Sequence, residues 1–355
     1  MASERSFLRE TAAAMLLGSA EAGIGRFLKA SLCRAAIATG LMLLHAGPLL
    51  AAELLTWAPP PLTDPIVVKI TDGKSYYGPF PNQKDVILRM PNVPITNRVK
   101  VVGGHNLRLI GGCIRPADGV AFVLRFVEVS GSVFIEGVEI DGKNLAGDGI
   151  NVSGKKGFVP GVYIQNVRVV NINGFSAGEH ADMFQAQGDI GKLRIDHLTG
   201  TSNYQGLFLR PEFLITSATI KNVNLRFLPN PHHQVTYLLW MRDSEDSTKE
   251  YPVSLESVYI EPRPGQTVAG QAVFPSERSK RAKAVEKDGK VTWPPGSLIE
   301  GCVLSGKPAA GDFVPQRGAA VTYVAPGYKS ISGENRGHIG PDNRKSEWDP
   351  RKPTP

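Results

Sequence analysis

A four-residue pattern recurs seven times along the chain, at Ile110–Cys113, Ile135–Val138, Ile164–Val167, Ile195–Leu198, Ile220–Val223, Leu255–Val258 and Ile299–Cys302. The successive spacings are 25, 29, 31, 25, 35 and 44 residues. Position one is always aliphatic, and position four is always a small or medium apolar residue. Position two is polar or glycine and is expected to face water. Position three holds Gly112, Gly137, Asn166, His197, Asn222, Ser257 and Gly301. Glycine and asparagine tolerate a left-handed backbone most cheaply. This column therefore predicts a repeated sharp bend between two short strands, with apolar side chains pointing inward on both sides of it.

A second, alternating pattern precedes four of the bends. Asp148–Val152, Asp182–Ala186 and Gln205–Leu209 start 16, 13 and 15 residues before Ile164, Ile195 and Ile220. Thr236–Trp240 starts 19 residues before Leu255 and fits less well. Ile150, Phe184 and Leu207 align as one inward column, and Val152, Ala186 and Leu209 as the next. Each repeat thus offers at least three strands that can stack on their counterparts at about 4.8 Å per repeat, enclosing a continuous apolar core. The unequal spacings exclude leucine-rich and ankyrin arrays, whose periods are stricter. The expected fold is all-β, a single-stranded right-handed parallel β-helix over residues 100–328, with loops of unequal length leaving its corners. With these Ile-x-Asn-Val bends, residues 100–305 resemble the pectate-lyase-like superfamily of right-handed parallel β-helices.

The ends read differently. Arg26, Lys29 and Arg34 precede an apolar stretch over 35–50, and Ala51 and Ala52 follow. That order describes a secretory signal over 1–52, with an apolar run too short for a comfortable membrane span. The mature chain is therefore expected to be secreted or periplasmic and to lack a membrane span. The proline-rich segment 53–99 is expected to begin extended and then to cap the open first coil. Segment 273–296 reads as a basic loop, and 329–355 as a disordered tail. Cys33 lies in the signal. Cys113 and Cys302 both sit at position four, six coils or about 29 Å apart, too far for a disulfide; both are expected to be buried and reduced.

Net charge is +7. Residues 1–52, 273–296 and 329–355 carry +2, +3 and +2 of it, so the body of the repeat is neutral. The basic excess lies in one loop and the ends, which argues against a nucleic-acid partner and leaves a polyanionic one open.

Candidate chemistry concentrates around 178–188, where Glu179, His180, Asp182, Gln185 and Gln187 surround one strand. The alignment places Asp182 beside Asp148 on one side and Gln205 on the other. Asn151, Gln185 and Phe208 share the next outward column, and Ser153, Gln187 and Arg210 the one after. Two carboxylates a coil apart repel unless a proton or cation is shared, so one pKa is expected to rise, which suits a general acid or a Ca²⁺ site. His180 can take a proton, and Arg210 can neutralise a uronate carboxylate. The catalytic candidates are accordingly His180, Asp182, Asp148 and Arg210, with Asp148 and Asp182 also the candidate Ca²⁺ ligands. Asn151, Gln185, Gln187, Tyr204, Gln205 and Trp240 are candidate substrate contacts, and Tyr237 is a further aromatic face for a sugar ring.

His197 is assigned to a bend rather than to catalysis, although Ile195–Leu198 is similar to the Trp-Ile-Asp-His segment of pectate lyases. Its neighbour Asp196 reads as a solvated residue of the outward polar column. His232 and His233 read as loop residues. The fold resemblance implies a polysaccharide substrate, acted on by a lyase. A glycoside hydrolase and a non-catalytic glycan-binding or envelope protein are the alternatives. The chain departs from the superfamily's enzyme signatures: Arg210-Pro-Glu-Phe does not match the Arg-x-Pro-x-x-Arg of pectate lyases. The Asn-Thr-Asp, Asp-Asp and Gly-His-Gly elements of polygalacturonase-like hydrolases are missing.

Overall fold

A computed structural model describes residues 55–316, except 146, 156, 177, 179, 211–212, 231–235 and 243–249. The signal region, the tail from Lys329, Glu179, and the pair His232 and His233 lie outside the described residues. Among those described, no helix is long and apolar enough to cross a membrane.

The described residues are all-β and build two sheets of 13 and 8 strands. The chain shuttles between them, from Ile66–Lys69 in the larger to Tyr76–Phe80 in the smaller, back to Val86–Arg89, then to Val99–Gly103, and onward. Each return pairs in parallel with the strand laid down one circuit earlier, a topology compatible with a solenoid of stacked coils. The space between the sheets is filled by aliphatic side chains such as Ile135, Ile164, Ile195 and Ile220, all fully buried.

The bend column is realised at every one of its seven positions. Gly112, Gly137, Asn166, His197, Asn222, Ser257 and Gly301 all have positive φ, from 52° at Asn166 and Asn222 to 104° at Gly112. The bend falls inside long strands such as Gly161–Ile172 and Ile190–Ser202, so the 13-stranded sheet is creased along this column. Ile135, Ile164, Ile195, Ile220 and Leu255 stand in register across it. Gly301 has a second constraint, because a Cβ there would lie 2.0 Å from the Leu255 carbonyl oxygen. Ser257 is exposed at φ 53°, a conformation that costs an ordinary side chain roughly 1–2 kcal/mol. Ser257→Gly is expected to raise stability by about 1 kcal/mol and Ser257→Val to lower it by a similar amount. Urea denaturation of both variants measures this, and equal midpoints would show that the bend imposes no strain.

Five expectations are corrected. First, coiling begins before residue 100. Val86–Arg89 pairs with Asn106–Ile110, and Ile66–Lys69 pairs with Val86–Arg89, so much of 53–99 is stacked strand rather than cap. Second, register slips at both ends of the column. Leu109, not Ile110, stands opposite Ile135, because both Gly111 and Gly112 enter the left-handed region there. At the other end Ile299 pairs with Val253 and Val303 with Val258. Val303 is therefore the buried residue and Cys302 is only partly buried. Cys113 is buried as expected, its thiol pushed up to about 12 by burial and by the charge of Glu139.

Third, Thr236–Trp240 aligns one residue away from the expected register. Leu239 pairs with Leu207 and Trp240 with Phe208, which turns Trp240 outward. Fourth, 273–296 is not a plain loop. It supplies the strand Val273–Phe274 to the smaller sheet and a hairpin, Val285–Lys287 and Lys290–Thr292. That hairpin pairs antiparallel with Ile299–Ser305 and so covers the last open edge of the larger sheet.

The fifth correction concerns position two. Glu136, Gln165 and Asp196 were expected to face water, yet all are fully buried. They lie beneath a strap formed by residues 55–63. Thr56 gives its backbone N–H and its hydroxyl to Asp196 at 2.9 and 2.7 Å. Trp57 exchanges two hydrogen bonds with the Gln165 amide. The Pro60 carbonyl accepts from Arg108, and the Thr63 N–H reaches Asp85 at 2.6 Å. Beyond the crease, the segment around Asp312–Val314 is bound in the same way by Arg168, Thr199 and Asn224. Both described end segments thus hydrogen-bond to the creased sheet, covering parts of its outer surface.

Burial raises the carboxyls of Asp85 and Asp196, but their hydrogen bonds more than offset it. Thr63, Asn106 and His105 hold Asp85 below the ordinary range, and His197 and Thr56 do so for Asp196. A carboxyl lowered in the folded state stabilises it above the unfolded value, about pH 4, and loses that contribution as pH falls toward the lower folded value. Acidification below about pH 4 is therefore expected to loosen the strap. Hydrogen exchange at the Thr56 and Thr63 amides, corrected for intrinsic rate, reads this out; protection unchanged through that range would mean the carboxylates do not hold it.

Candidate functional site

The eight-stranded sheet carries its outward side chains in straight columns, because parallel strands in register repeat every side chain one coil on. The central column runs Tyr76, Lys100, Arg125, Asn151, Gln185, Phe208, Trp240 and Phe274. Three residues earlier, at or just before the strand starts, lie Phe122, Asp148, Asp182, Gln205 and Tyr237. Two residues later lie Ser153, Gln187, Arg210 and Arg242. The ladder falls into three tiers, cationic, acid–amide and aromatic.

In the cationic tier Lys100 stands 5.8 Å from the Tyr76 ring, and Arg98 and Arg125 each lie 5.2 Å from Phe122. Burial pulls the Arg125 pKa down, and the charge of Asp148 opposes that. In the middle tier Asp148 accepts the backbone N–H of Asp182 at 3.0 Å and the side-chain amide of Asn151 at 2.9 Å. The same Asn151 nitrogen lies 3.0 Å from Gln185 Oε1 and 3.2 Å from Gln187 Oε1. Asn151 Oδ1 is buried with no hydrogen-bond partner among the described residues.

Asp182 is buried beside Tyr204, whose phenol is pushed up by burial and then by the Asp182 charge. His180 is exposed, with Nε2 3.0 Å from the Ser176 carbonyl oxygen and its ring 5.7 Å from that of Tyr204. In the aromatic tier Phe208 meets Trp240 edge-on at 5.2 Å, Tyr237 lies 5.0 Å from Trp240, and Phe274 lies 5.3 Å from Tyr237. The Arg210 guanidinium stands 5.8 Å from the Trp240 ring.

The structure brings the predicted residues onto one face but separates them by depth. His180 and Gln187 are exposed, and Gln185, Arg210 and Trp240 are half-buried. Asp148, Asp182, Asn151, Tyr204 and Gln205 lie beneath them, each less than a tenth exposed. Asp148 acts here as a hydrogen-bond acceptor that fixes the Asp182 backbone and the Asn151 amide. Donors on both of its oxygens have the wrong polarity for a Ca²⁺ pair with Asp182. Among the described residues no group of three or more His, Cys, Asp or Glu side chains converges as a metal site would.

His197 lies in the bend, at φ 56°, with Nδ1 2.7 Å from Asp196. Asp196, expected to be solvated, is instead the anchor of the strap. The cationic tier and Phe274 were not foreseen. The signal was present, since Phe122 precedes Ile135 by 13 residues, the spacing of Asp182 to Ile195. No protein family, curated protein or solved structure matches the chain.

Proposed function

We propose that the chain is a right-handed parallel β-helix, exported from the cell, that engages an acidic polysaccharide along its eight-stranded face and cleaves it by β-elimination. Right-handedness follows from the rule that about 98% of parallel crossover connections have that hand. The observation that carries the reading is the central column, in which cations, then amides, then aromatic rings succeed one another at one coil spacing. Cations suit the carboxylates of a uronan, and aromatic rings suit the apolar faces of its sugars.

In this reading Arg125 holds the carboxylate of the reacting uronate and so stabilises charge developing on the adjacent carbon. His180 accepts the proton from that carbon as the neighbouring carbon–oxygen bond breaks and the double bond forms. Tyr204, kept protonated by burial and by Asp182, supplies the proton to the departing oxygen. Asp148 positions Asp182 and Asn151. A binding-only role is favoured by one observation, the depth of both carboxylates below Gln185 and Gln187.

Incubation with a panel of uronans is expected to produce unsaturated, ultraviolet-absorbing ends. Reducing ends without unsaturation would turn the reading into a hydrolase. Binding without product from any uronan would leave a glycan-binding protein.

A further inference from the structure

The strap is held as a ligand would be. The creased sheet meets residues 55–63 through side chains that bind backbone groups. Gln165 both accepts from and donates to Trp57, Asp196 and Asp85 accept the N–H groups of Thr56 and Thr63, and Arg108 donates to the Pro60 carbonyl. Leu55 and Pro59 are buried alongside. No residue of 55–63 belongs to a helix or strand. Four strand spacings separate Val86–Arg89, next to Asp85, from Ile190–Ser202, which carries Asp196, about 19 Å in all. The seven steps from Thr56 to Thr63 cover about 22 Å as a polyproline helix, the conformation that Pro59, Pro60 and Pro61 favour. The strap therefore lies nearly straight, with no internal structure to lose on leaving the sheet.

The joint between the strap and the first strand is strained. Asp64 has φ 44°, a left-handed conformation unfavourable for any residue with a Cβ. It also precedes Pro65, and the residue before a proline favours extended backbone. The Asp64 side chain is 83% exposed and meets Lys84 Nζ at 2.5 Å, a surface pair of small effect. Extension at Asp64 relieves the backbone but carries the strap off its own sheet and past an open end. Among the described residues, Ile66–Lys69 and Tyr76–Phe80 are the terminal strands of the two sheets there. The hairpin that covers the larger sheet lies at its opposite edge.

We propose that two copies of this chain exchange straps. Each strap, extended at Asp64, lies on the creased sheet of the second copy and remakes the contacts it makes within one chain, so the pair closes about a two-fold axis. The contacts are the same in both arrangements. What differs is the joint, strained within one chain and relaxed between two, and rising concentration therefore drives the exchange. The inference draws on the strap and its joint alone and is independent of the polysaccharide reading.

Sedimentation velocity of the full chain over a range of concentrations tests it with two variants. Asp64→Gly removes the steric penalty of positive φ and is expected to favour the single chain. Asp64→Thr is β-branched, which raises that penalty, and is expected to favour the pair. Both variants lose the Lys84 contact alike, so the difference between them reports backbone conformation. Their dissociation constants are expected to differ by about tenfold or more, with Asp64→Thr the tighter. Photo-crosslinking shows where the strap lies. Isotope-labelled and unlabelled chains, each with a photoreactive residue in place of the exposed Ala58, are mixed, concentrated, irradiated and read by mass spectrometry. Cross-links in the dimer that join a strap of one label to a creased sheet of the other are the expected result. Equal dissociation constants for the two variants, an Asp64→Thr chain that stays monomeric throughout, or a dimer whose strap links all remain within one label would each overturn the proposal.

Discussion

Asp196→Ala is expected to destabilise the fold by about 3–5 kcal/mol, the range for breaking a buried charged network by removing one partner. Asp196 is fully buried. Its two oxygens accept from the Thr56 N–H and hydroxyl, from His197 Nδ1 at 2.7 Å and from the Asn222 amide at 3.0 Å. Alanine would strand the buried Asn222 amide and free the start of the strap, which in turn exposes Gln165. Lys221, the next rung, is paired only with the largely exposed Glu256 at 3.4 Å, and Lys221→Ala is expected to cost less than about 1 kcal/mol. Chemical denaturation of the two variants side by side reads the contrast. Equal losses would mean that the strap contributes no more than an ordinary surface contact.

Arg125→Ala is expected to lower turnover on a uronan by about 10²–10³, the size of the loss when one preorganised group stabilising developing charge is removed. Arg125 adjoins the acid tier: it stands opposite Asn151 in register and within the field of Asp148. Arg125→Lys keeps the charge without the bidentate fork and is expected to recover part of the loss. A methyl-esterified uronan offers no carboxylate, so the gap between wild type and Arg125→Ala should narrow on it. An undiminished gap on the ester would mean that Arg125 acts on the fold rather than on substrate charge.

The bends were legible in the sequence because a left-handed conformation imposes a residue preference that survives changes in loop length. Even His197 and Ser257, the two members of the column that are neither glycine nor asparagine, follow it. The middle tier was legible for a related reason, since three aligned strands fix which residues share a column. What was not legible came from segments without a repeat. Apart from the Thr56 hydroxyl, the strap binds through backbone groups of Thr56, Trp57, Pro60 and Thr63, which carry no side-chain signature, and its cover makes a buried polar row look like a solvated one. The end coils slipped because one extra left-handed glycine at Gly111, or a local shift beyond Leu255, moves the register without altering the apolar pattern. Trp240 was misplaced because a two-residue strand offers too little alternation to fix its register.

The central claim is that the eight-stranded face is where the polymer lies. Side-chain oxidative footprinting of the full chain, with and without a bound uronan, tests it most directly. Protection is expected at His180, Trp240 and Phe274, with the strap residue Trp57 and the exposed Val67 of the creased sheet unchanged. Protection at Trp57 and Val67 with the ladder residues unaffected would contradict it.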